Sequence, residues 1–87
     1  MMTMAPTRPP DLQSHDVWLA NGPAAVPEAR SQVRAAIRCW GVLIDEEAAV
    51  LLTSELVTNA IRHETGEGVM LVITGSCGQL RVDVHDS

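Results

Sequence analysis

Apolar positions along this chain repeat with two different periods, and the change from one to the other marks out its elements. Residues 15–20 (HDVWLA) alternate, with Val17 and Leu19 on one side and Trp18 on the other, and predict a short edge strand. Asn21-Gly22-Pro23 then interrupts the chain with turn-forming residues. From about Pro27 to Trp40 the period lengthens. Val26, Ala29, Val33, Ala36, Ile37 and Trp40 recur at the three-four spacing of one helical face, and Arg30, Arg34 and Arg38 recur every fourth residue on another. Pro27 suits the first helical position, Glu28 the positive end of the dipole, and Gly41 a left-handed stop. The arginine row reads as a solvated face, with a partner surface as the alternative in a chain this acidic.

A second helix is predicted from about Glu46 to His63, with Asp45 as N-cap and Glu46 and Glu47 in the first turn. Its apolar positions (Ala48, Ala49, Val50, Leu52, Leu56, Val57, Ala60, Ile61) sweep most of the circumference, so a central helix covered on two sides is expected. A polar loop over 64–68 leads into residues 69–74 (VMLVIT), a continuous β-branched run that fits a buried strand. Residues 75–78 (GSCG) read as a turn. Residues 79–86 (QLRVDVHD) alternate, with Leu80, Val82 and Val84 on one side and Arg81, Asp83 and His85 on the other, and the two runs form an antiparallel hairpin. The strand–helix–helix–strand–strand order predicts an α+β two-layer sandwich, with helices on one face of a mixed or antiparallel sheet. Residues 1–14 lack any period and hold three of the five prolines, and so read as a disordered arm.

Composition narrows the picture. Eighty-seven residues allow one small domain, and its core must be made of Val, Leu, Ile, Ala and Met, because the only aromatic residues are two tryptophans. The net charge of −5 argues against a nucleic-acid partner. Every basic residue is an arginine, which excludes a Walker A loop and a Schiff-base lysine. Two cysteines, Cys39 and Cys77, make no disulfide framework and read as reduced thiols of a cytoplasmic protein. No apolar run approaches the ~20 residues of a membrane span, and the first residues lack the apolar core of a signal peptide.

Two places break the pattern around them. Glu55 and Asn59 stand four apart on one face of the second helix, and His63 continues that row. Either they lie at a wet helix edge, or they are polar groups aimed at a ligand. By alternation Asp86 shares the side of Leu80, Val82 and Val84. Either it is exposed where the strand leaves the sheet, or it accepts a hydrogen bond from a ligand between sheet and helices. Both exceptions would then point into one layer. No HExxH zinc motif, dinucleotide fingerprint or GxSxG elbow is present, and the spacing of His15, His63 and His85 suggests no metal site.

The stretch 53–63 (TSELVTNAIRH) resembles the N-box of the histidine-kinase-like ATPases, in the wording of the small actinobacterial relatives of the anti-sigma-factor serine/threonine kinases. The preceding VPEARSQVRAAIRCWGV is similar to their first helix, and LRVDVHDS to the strand entering their first glycine box. The resemblance, over about residues 15–87, implies that Asn59 coordinates the Mg²⁺ of Mg·ATP. It implies that Glu55 is the catalytic carboxylate, that Asp86 accepts a hydrogen bond from the adenine amino group, and that His63 closes the N-box beside the nucleotide. It also implies phosphoryl transfer from ATP to a serine of an antagonist protein, a sigma factor or antagonist as partner, and possible pairing into homodimers. In the family an ATP lid, a second glycine box and closing strands follow the aspartate, whereas Ser87 comes directly after Asp86 here. The chain therefore reads as the N-terminal part of such a domain, cut short. The alternative is a truncated, non-catalytic interaction module or a remnant.

Overall fold

The computed structural model describes residues 12–63 and 66–86, the side chain of Asp86 excepted. The elements run β1 (Gln13–Ala20), α1 (Ala25–Trp40), α2 (Glu46–His63), β2 (Gly68–Ser76) and β3 (Gln79–Asp86). The expected α+β architecture is present. The sheet has the order β1-β2-β3, every pair is antiparallel, and both helices pack on one face.

Register explains which side chains meet the helices. Val69, Leu71 and Ile73 of β2 are fully buried; Leu19 and Val17 flank the first two from β1, and Val84 and Val82 flank the last two from β3. Ala25, Ala29, Val33, Ala36 and Ile37 of α1 close the core from above, with Val50 and Val57 of α2. On the other side of the sheet Trp18 is 43% exposed and Met70 and Val72 are half-buried. Among the described residues, therefore, the continuous apolar run of β2 is covered by a second layer on one side only.

Several boundaries differ from expectation. Gln13 and Ser14, assigned above to the arm, pair with Gly75 and Thr74, since the nine-residue β2 offers them ladder partners that composition does not reveal. Residues 1–11, the rest of that arm, lie outside the described residues. Helix α1 begins at Ala25, placing Pro27 third. Proline is tolerated there because first-turn N–H groups have no helical acceptor. The helix stops as expected at Gly41, whose φ of 65° needs no Cβ tolerance, with its N–H donating to the Ile37 carbonyl.

The turn is tighter than the sequence suggested. Gly75 and Ser76 belong to β2, and only Cys77 and Gly78 bridge the strands, at φ 53° and 75°. Positive φ at both central residues is what a two-residue type I′ hairpin requires. Gly75 instead accommodates Trp40: a Cβ there would stand 2.7 Å from the indole Cε3.

Candidate functional site

The rotation of α2 about its axis decides what each of its polar residues can do. Its start is well tied. The Asp45 carboxylate accepts from the Ala48 N–H at 3.1 Å, the N-cap expected from sequence. Arg38 grips Glu46 with both arms of its guanidinium, Nε to Oε1 at 3.1 Å and Nη2 to Oε2 at 3.0 Å. Arg34 reaches Glu47 at 3.3 Å and Glu46 at 3.5 Å. Two members of the arginine row are thus interhelical partners, where the sequence suggested a solvated face or a partner surface. The Arg38 guanidinium is held above its ordinary pKa, first by the hydrogen bond to Glu46 and then by the charges of Glu46 and Glu47; desolvation works against it.

With α2 anchored in this way, Val50, Thr53 and Val57 turn inward. Thr53 is fully buried, and its hydroxyl is satisfied by donating to the Ala49 carbonyl at 2.8 Å. Ser54 donates likewise to Val50 at 2.9 Å. The opposite arc faces outward. Leu51 and Leu52 are 64% and 58% exposed and Leu56 36%, so α2 is not the doubly covered helix that its composition suggested. Covered faces and bare faces carry the same residue types, and periodicity cannot tell them apart.

Glu55, Asn59 and His63 all lie exposed on this outward side. Glu55 and Asn59 are one turn apart, about 6 Å along the axis. Together with Ser54 and Thr58 they line a shallow groove of about 290 Å³. His63 ends the helix and does not line that groove. The expectation that these groups aim into the layer between sheet and helices is therefore corrected: Glu55 and Asn59 stand across the helix from the core residues. The Asp86 backbone closes the β2–β3 ladder opposite Val69, while its side chain lies outside the described residues.

Other candidates are dispersed. His15 exchanges a hydrogen bond with Gln32 at 3.0 Å, and His85 sits in the opposite row of the sheet, opposite Met70. Among the described residues no three His, Cys, Asp or Glu side chains form a metal-holding group. Cys39 and Cys77 are exposed and form no disulfide among the described residues. Among the described residues no helix is long and apolar enough to cross a membrane.

Sequence reasoning missed a second groove of about 460 Å³, between Arg30, Ser31 and Arg34 of α1 and Glu47, Leu51 and Ser54 of α2. The arginine spacing was its only sequence signal. No protein-family model, curated protein or solved structure matches this chain.

Proposed function

We propose that this chain carries the magnesium-binding helix of a histidine-kinase-like ATP-binding domain and acts as a cytoplasmic regulator. In that reading it works with a sigma factor or its antagonist protein and transfers a phosphoryl group to a serine. The carrying observation is the pairing of a carboxylate and an amide one turn apart in a single open groove, within the stretch SELVTNAIRH. The donor chemistry fits. Mg²⁺ prefers hard oxygen ligands and keeps several positions for phosphate and water oxygens, and Asn59 can offer one amide oxygen from an uncrowded surface. Mg·ATP, when bound, supplies the transferable phosphoryl group. Glu55 lies one turn from Asn59, where its carboxylate can take the proton of an approaching serine hydroxyl. In this reading Asn59 would hold the Mg²⁺, Asp86 would accept from the adenine amino group and His63 would bound the nucleotide at the end of α2.

Calorimetry tests this directly. The parent should bind Mg·ATP and lose Mg-dependent affinity on Asn59→Ala; equal binding by both would reject the reading. Glu55→Gln should keep nucleotide affinity and slow transfer to a serine acceptor by about 10²–10⁴-fold.

A second reading, a non-catalytic interaction module, is favoured by the exposed Leu51, Leu52 and Leu56 around the same arc, since clustered apolar surface suits a protein contact. Thermal shift separates the two. A ligand at about 100 times its Kd adds about 2.7 kcal/mol, so an unmoved midpoint at millimolar Mg·ATP favours the module.

A further inference from the structure

Register sorts the outer face of the sheet, the side away from the helices, into rows. Trp18, Met70 and His85 form one row, Asp16, Val72 and Asp83 the next, and Ser14, Thr74 and Arg81 the third. Two aspartates therefore flank Val72 from opposite sides, and they are not equivalent. On β3 Arg81 stands two residues from Asp83 on this same face and donates to its carboxylate at 2.9 Å. On β1 the positions two residues from Asp16 are Ser14 and Trp18, so that strand offers no arginine to do the same. Asp16 is exposed and has no ion-pair partner among the described residues. Beside it Trp18 is 43% exposed. Its ring lies over Gly68, where a Cβ would stand 2.8 Å from the indole Cζ2. A backed indole and an unmatched carboxylate thus share one face.

We propose that this face docks a segment of a partner protein that presents an arginine beside an aliphatic side chain. The guanidinium takes at Asp16 the place that Arg81 takes at Asp83. Its methylene stem lies on the Trp18 ring, and the aliphatic group covers Met70 and Val72. Arginine suits the site better than lysine, because a planar guanidinium both stacks on an indole and forks onto a carboxylate. The charge of the face and the charge of the chain select the same occupant. Arg81 and Asp83 match each other, which leaves the Asp16 carboxylate over, and the chain as a whole carries −5. An acidic segment or a nucleic acid would be repelled by both. Three strands span about 10 Å, a width that suits an extended segment laid along them. The site lies on the side of the sheet away from α2 and does not rest on the nucleotide reading.

The test is an NMR titration of the full chain with a short synthetic peptide in which an arginine and a leucine alternate with serines, so that both share one side of an extended segment. Amide shifts should move at Asp16, Trp18, Met70 and Val72, with the Trp18 indole N–H among them. The peptide with Gln in place of Arg, and the Asp16→Asn protein, should each show binding weakened at least about fivefold, and added salt should weaken the parent complex. Asp16 is exposed, so Asp16→Asn should keep the parent's circular dichroism. No shifts at about 2 mM peptide, where a millimolar contact is still populated, overturn the proposal. So does equal binding by Asp16→Asn or by the Gln peptide. Two other occupants are recognised without peptide. Dilution that moves these same amides would assign the face to a second copy, and Arg8→Gln in the full chain that moves them would assign it to the chain's own N-terminal residues; either result overturns the proposal.

Discussion

Cys77 shows how a single residue can carry strain that a better choice would release. It is the one described non-glycine residue with positive φ, at 53°, in a turn that favours Asn at that position. Cys77→Asn should raise the thermal midpoint, by up to about 1 kcal/mol of stability, in a melting experiment followed by circular dichroism. Gly75 makes the opposite case. A methyl group there would press on the Trp40 ring, so Gly75→Ala should destabilise by about 1–3 kcal/mol and change the tryptophan emission. An unchanged spectrum and midpoint would mean that the ring moves aside freely. Neither effect was legible in the sequence, where residues 75–78 read only as a turn. The polar residues fared differently. Glu55, Asn59 and His63 were picked out by their spacing, and spacing does put Glu55 and Asn59 together. Their outward direction depends on which way α2 is rolled, and spacing carries no information about that.

The roll of α2 follows the burial of Val50, Thr53 and Val57, and the contacts of its first turn fit that roll. Asp45 caps the helix, and Arg34 and Arg38 hold Glu46 and Glu47, so the helix cannot turn without breaking both contacts. Asp45→Ala should lower stability by about 0.5–2 kcal/mol. Glu46→Gln should lower the thermal midpoint at low salt. That difference should shrink near 1 M salt, where the screening length is about 3 Å. A salt-independent difference would place the effect in packing instead of charge. Because the folded-state pKa of Arg38 lies above its unfolded value, its contribution is complete below the unfolded value. It is lost only as pH rises through the folded one, far above neutrality, so salt is the practical probe. The cap and the helix limits were readable because Asp45 and Gly41 act on adjacent backbone. The ion pairs were not, because they join residues eight to thirteen apart across a loop.

At the scale of the whole molecule, the core is one-sided. Leu19, Leu71 and Ile73 are fully buried, and truncating Leu71 to Ala should cost about 2–5 kcal/mol, a large share of what a small domain can have. Leu51 and Leu52 lie outside that core despite being the same residue type. Leu51→Gln with Leu52→Gln should therefore leave helical content unchanged and stability within about ±0.5 kcal/mol per site. A cooperative loss of structure would show that these leucines are covered in solution. The sequence alone determined the element order, the two-layer class, the cap at Asp45, the stop at Gly41 and the inward faces of α1 and β3. Each of these follows from local backbone preference or from a period with one clear apolar side. Only the tertiary structure decided which side of α2 is buried, that β1 extends back to Gln13, and that Arg34 and Arg38 pair with Glu46 and Glu47. Those features depend on register and on contacts between distant segments, and an apolar run that circles its helix or fills its strand contains neither.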